Sequence, residues 1–145
     1  MRLMVRMLAL AAAMPLPAAS DHRIDIVDAR IVATAPAQRA TAGYMRLRSA
    51  TATRLLAAES PAAAAVEFHV MSMADGIMRM RQVPAIELPA RETVELSPSG
   101  VHLMLRDLRQ RLRAGDSVEL SLTFSAPLGD RRAVQLLVPV VERGR

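Results

Sequence analysis

The feature that most constrains this chain is its punctuation: short runs of alternating or β-branched apolar residues are broken by turn residues every eight to twelve positions. That spacing leaves little room for long helices and suits an all-β sandwich. The runs predict strands at Ile24–Val32, Gly43–Ser49, Thr53–Glu59, Val66–Met73, Ile77–Val83, Glu92–Leu96, Val101–Arg106, Ser117–Ser125 and Arg132–Val141. Nine strands suit two packed sheets. Turn chemistry agrees: Asp75-Gly76 is a two-residue hairpin signal because both residues tolerate positive φ, and Ser97-Pro98-Ser99-Gly100 and Ala114-Gly115-Asp116 are turn clusters. The alanine-rich stretches 33–42 and 61–65 have helix propensity. Each carries a proline and neither holds an apolar period near 3.6 residues, so neither is read as helix.

Ahead of the first strand, Arg2 and Arg6, the apolar run Leu8–Met14 and the small residues up to Ser20 follow the order of an export signal. Residues 1–20 are expected to be removed, leaving 21–145 as a single domain that spans no membrane. The chain has no cysteine, so disulfides and thiolate metal sites are excluded. Without the signal, 17 arginines face 14 acids. That weak field, with only Tyr44, Phe68 and Phe124 as aromatic residues, argues against nucleic-acid binding. The dense basic cluster Arg106, Arg109, Arg111 and Arg113 reads as a solvated face, with a docking surface for an acidic partner as the alternative.

The histidines and methionines are not scattered. Four of the ten methionines belong to the signal, and His69, Met71, Met73, Met78, Met80, His102 and Met104 fall within 36 residues. Residues two apart on a strand share a face, so His102 and Met104 point the same way, opposite to Leu103. A two-residue loop at Asp75-Gly76 would oppose Met73 to Met78 and Met71 to Met80, making His69 and Met80 diagonal neighbours on one face. Such a pair lies about 7 to 8 Å apart at the backbone, within reach of one metal ion. Two imidazoles and two thioethers are neutral, soft to borderline donors that suit Cu(I). A calcium or magnesium site would need oxygen ligands, and a blue-copper site would need a thiolate.

The spacing of His69, ten residues, Met80, twenty-one residues, His102, one residue and Met104 resembles the ligand motif of the periplasmic copper chaperones called PCu(A)C. The surrounding segments Val66–Met73, Asp75-Gly76, Met78–Met80 and Gly100–Leu105 are similar to that family as well, with weaker likeness through Ala40–Tyr44 and Leu120–Phe124. The resemblance implies a cupredoxin-like Greek-key β-sandwich that carries Cu(I) in the periplasm, with His69, Met80, His102 and Met104 as ligands. It further implies a monomer that supplies the binuclear copper site of cytochrome c oxidase, directly or through a Sco-type thiol chaperone. Met71, Met73 and Met78 are not family ligands and are expected to pack on the sheet or to form a soft rim. Three departures stand out: Val70 where the family often has Glu, Arg30 where an aromatic residue is usual, and a C-terminal segment Val141–Arg145 without a His- and Met-rich tail. The last speaks against a second, tail-based copper site. His22, near the expected new N-terminus, is a candidate Cu(II) ligand with the terminal amine.

The competing class is a metal-free exported sandwich serving adhesion or assembly, since a fold does not fix a function. Catalysis is not expected: there is no cysteine nucleophile, and neither a Ser-His-Asp arrangement nor a Gly-rich phosphate loop stands out.

Overall fold

The computed structural model describes residues 23–125 and 129–144. The expected export signal and His22 lie outside the described residues. Ten strands follow in order: β1 Ile24–Val32, β2 Thr41–Ser49, β3 Thr53–Glu59, β4 Ala63–Ala74, β5 Ile77–Val83, β6 Ile86–Leu88, β7 Thr93–Leu96, β8 Val101–Leu108, β9 Ser117–Ser125 and β10 Arg131–Val141. Among the described residues no helix is long and apolar enough to cross a membrane.

Period-two patterning makes these strands and aims them. In β9, Val118, Leu120, Leu122 and Phe124 are buried, while the residues between them are exposed or half-buried. In β2, Met45 and Leu47 are buried between the exposed Arg46 and Arg48. Such alternation lets each strand cover a core with one face and meet water with the other.

The hydrogen-bonded order is β5-β4-β8-β2-β1-β10-β9-β3-β6, with β7 attached to β2. A further contact of β3 with β4, at Ala58 and Val66, closes the circuit. The result is a flattened barrel of two facing layers, the expected β-sandwich with its rims still bonded. Neighbours are antiparallel except β1 and β10, which run parallel through Ile31 opposite Val140. The core between the layers holds Ile31, Met45, Leu47, Leu55, Phe68, Leu103, Leu105, Leu120, Leu122, Phe124 and Val138.

Two differences from the expected strands are informative. The tenth strand, β6, lies between Pro84 and Pro89, which made the segment read as loop, yet it pairs with β3 and buries Ile86 and Leu88. Strand β4 starts at Ala63 rather than Val66, because Ala63 and Ala65 pair with Leu108 and Arg106 of a longer β8. The alanine-rich stretches hold no helix: residues 36–37 form a turn, and Ala63–Ala65 are strand.

Candidate metal centre

The outer face of β5, β4 and β8 gathers the histidines and methionines, and the hairpin between β4 and β5 sets their register. Asp75 and Gly76 adopt positive φ of 51° and 73°, the conformation of a two-residue turn matched to strand twist. Ala74 then faces Ile77, Met73 faces Met78 and Met71 faces Met80, the pairing expected from the sequence. His69 stands opposite Gln82 and is therefore diagonal to Met80.

On the other side of β4, the pairing with β8 supplies what the sequence did not reveal. His69 lies directly opposite His102, and Glu67 lies opposite Met104. The two imidazole centroids are 6.1 Å apart. His102 is buried at 4 % exposure, with its ring centroid 6.2 Å from that of Tyr44 in an edge-to-face arrangement. Met104 and Met71 are half-buried. Met80, by contrast, is 48 % exposed on the outermost strand, and Met73 and Met78 are more exposed still. Those last two are exposed rather than packed on the sheet. His69, His102 and Met104 thus occupy neighbouring positions on one face, and Met80 lies diagonal to His69 across the other edge of β4.

Each histidine has one nitrogen engaged. His69 Nε2 donates to Glu67 Oε2 at 2.7 Å, and His102 Nδ1 donates to the Gly100 carbonyl at 3.3 Å. His69 Nδ1 is buried with no hydrogen-bond partner, a situation that costs about 1 to 3 kcal/mol unless something occupies the lone pair. Arg106 Nη1 stands 3.6 Å from the same Glu67 oxygen. The hydrogen bond from His69, helped by the Arg106 charge and opposed by burial, holds the Glu67 carboxyl below its usual 4.5.

Burial pushes the His102 imidazole below its ordinary value of 6.5; the Gly100 carbonyl opposes that shift and His69 adds to it. The sign follows directly. A histidine that resists protonation only when folded contributes stability above pH 6.5, and the contribution is lost as pH falls below that value through the folded pKa. The urea midpoint of the metal-free protein is therefore expected to drop between pH 7 and pH 5, and to drop less in His102→Gln. Equilibrium unfolding followed by circular dichroism across that range checks this. A neutral imidazole is also the form that can accept a metal ion.

Sequence reasoning missed Glu67 and Tyr44 as participants. Glu67 could have been found, since it sits two residues before His69 on the same strand face. Tyr44 could not, because its approach to His102 rests on the long-range pairing of β2 with β8, where Gly43 opposes Leu103. In β1, a bulge shifts the register between Val27 and Arg30, with Asp28 at φ 55°. The extra residue sets Arg30 opposite Tyr44, with the guanidinium 5.3 Å from the ring centroid. Arg30 thereby covers Tyr44 where the resembling family commonly has an aromatic residue. Of the basic cluster, Arg109, Arg111 and Arg113 lie on a solvated face and only Arg106 reaches this group.

Among the described residues, no three His, Cys, Asp or Glu side chains are arranged to hold a metal ion. The side chains that neighbour the two imidazoles on this face include thioethers, donors that suit soft ions. The unpartnered Nδ1 and the uncharged donors both fit such an ion.

Comparisons with known proteins agree with this picture. The family model described as "Putative lipoprotein LpqE-like" matches residues 24–140. "Putative lipoprotein Lxx21020" of Leifsonia xyli subsp. xyli is 26 % identical over 110 residues, covering 75 % of this chain and 66 % of that protein. The match therefore spans just under two thirds of this relative's length. The copper-bound PCuAC domain from PmoF2 superposes with a TM-score of 0.65 at 22 % identity, covering 83 % of this chain and 93 % of that one. Apo-DR1885 from Deinococcus radiodurans gives 0.62 at 27 % identity, covering 98 % and 96 %. The Cu(I) form of DR1885 gives 0.58 at 29 % identity, covering 90 % and 83 %. The β-sandwich and the likeness to PCu(A)C domains are as the sequence implied.

Proposed function

The chain belongs to the LpqE-like family, and from that premise we propose that it is a periplasmic carrier that binds one Cu(I) and hands it to a receiving protein. The observation that carries this reading is the direct pairing of His69 with His102, centroids 6.1 Å apart, with an unpartnered buried nitrogen and thioethers on either side. The donors are His69, His102, Met104 and Met80. Likeness to DR1885, solved with Cu(I), supports the choice of metal.

The four donors differ in what holds them. His102 is buried and hydrogen-bonded, and His69 is clamped by Glu67, so the imidazoles anchor the ion. Met80 and Met104 are separated by β4, and on an ideal flat sheet their backbones would lie about 16 Å apart. Met80 closes on the ion only as the β4–β5 hairpin curls inward. Being exposed and uncharged, it is the donor that a partner's ligand displaces first, giving a mixed intermediate. The acceptor is the binuclear copper site of cytochrome c oxidase, reached directly or through a Sco-type thiol chaperone.

Anaerobic titration of the purified protein with Cu(I) against a chromogenic chelator tests the reading. One equivalent should be withheld from the chelator. Failure to compete at any protein excess would leave a metal-free sandwich.

A further inference from the structure

We propose that Glu67 is the positioning residue of this centre: it fixes His69 as the Nε2–H tautomer, so that the two facing histidines present opposite nitrogens, Nδ1 from His69 and Nε2 from His102. The inference rests on the copper reading only for what the nitrogens are presented to. The tautomers themselves follow from hydrogen-bond chemistry in the metal-free protein.

A carboxylate and a carbonyl only accept hydrogen bonds, so each nitrogen facing one carries the proton. For His69 that nitrogen is Nε2, 2.7 Å from Glu67 Oε2. For His102 it is Nδ1, 3.3 Å from the Gly100 oxygen. The neutral rings are left with lone pairs on Nδ1 of His69 and Nε2 of His102. The first is the buried nitrogen that has no hydrogen-bond partner.

The two anchors are unequal. Gly100 offers a backbone oxygen two residues from His102 on the same strand side, and Glu67 offers a side chain that must itself be held. Arg106, 3.6 Å from the oxygen that His69 uses, does this. The alternation of β4 and β8 places all three on one face: Ala65 opposes Arg106, Glu67 opposes Met104, and His69 opposes His102. Without Glu67 the His69 ring could turn over and exchange its proton between nitrogens, and the lone pair would be misplaced in part of the population. Outer carboxylates that orient a ligating imidazole in this way are worth about 10- to 100-fold in metal affinity.

Long-range proton–nitrogen NMR of the metal-free full chain reads the tautomers without copper. The expected result is a protonated Nε2 and bare Nδ1 for His69, and the reverse for His102. In Glu67→Ala, His69 should become a mixture of tautomers while the amide spectrum stays folded, and Cu(I) affinity should fall about 10- to 100-fold. Glu67→Gln keeps an acceptor oxygen and should restore the tautomer and most of the affinity. On adding one equivalent of Cu(I) to the wild type, the resonances of His69 Nδ1 and His102 Nε2 should be the ones that shift. Protonated Nδ1 in metal-free His69, or a Glu67→Ala variant unchanged in both tautomer and affinity, would overturn the proposal. A wild type with the expected tautomers but no Cu(I) uptake would instead overturn the copper reading and leave the tautomer lock standing.

Discussion

Replacing His102 with alanine is expected to weaken Cu(I) binding on the order of a thousandfold, about 4 kcal/mol, while the sandwich still folds. Loss of an outer partner of a ligand already costs about 10- to 100-fold, and removing the ligand itself should exceed that. His102 is the donor with the fewest substitutes. It is buried, faces His69 across one strand pair, and has its Nδ1 committed to Gly100, leaving Nε2 for the metal. With it gone, one imidazole and two thioethers remain, and the exposed hairpin must close around a smaller set. Competition against a Cu(I) chelator under anaerobic conditions measures the loss. Thermal unfolding of the metal-free variant checks that the binding defect is not a folding defect. A variant that competes as well as the wild type would remove His102 from the ligand set, and with it the two-histidine reading of the centre.

How much of this centre could be read from the sequence depended on the distance over which register is set. Two residues, Asp75 and Gly76, fix the β4–β5 pairing locally, so Met71 opposite Met80 was legible from the turn alone. The pairing of His69 with His102 was not. Strands β4 and β8 are separated by three other strands, and their alignment is set by the opposite face, where Phe68 meets Leu103 and Val66 meets Leu105. Sequence could place His102 and Met104 on one face without revealing which residue of β4 they would meet. Strand β6 was hidden for a different reason: four residues between prolines are too few to show a period, and only pairing with β3 makes three of them a strand. Arg30 illustrates a third limit. Its approach to Tyr44 requires a bulge at Asp28, and no composition rule demands positive φ at an aspartate. Local turn chemistry and period-two patterning gave the layers, and packing on the buried face decided which donors met.

The same alternation that joins the centre also separates it from the core, and Leu103→Ala tests that separation. Leu103 is adjacent to His102 but points inward, fully buried, with Phe68 and Gly43 as its neighbours across β4 and β2. Truncating a buried leucine costs about 2 to 5 kcal/mol, depending on how far the site collapses. The metal-free variant should lose stability in that range, a large part of what a domain of this size possesses. Cu(I) binding should nonetheless remain at one equivalent, within about tenfold of the wild-type affinity, because backbone pairing rather than Leu103 itself holds His102 opposite His69. Binding to the folded state alone also stabilises it: at a thousandfold excess over the dissociation constant the gain is about 4 kcal/mol, enough to offset most of the defect. The expected signature is a variant that melts early without metal and recovers with Cu(I), the mirror image of His102→Ala, which should gain almost nothing from the metal. Denaturant unfolding of both variants with and without Cu(I) gives the comparison. If Leu103→Ala lost copper as severely as His102→Ala, the outer face would not be independent of the core, and collapse around the missing leucine would be moving the histidine it was expected to leave in place.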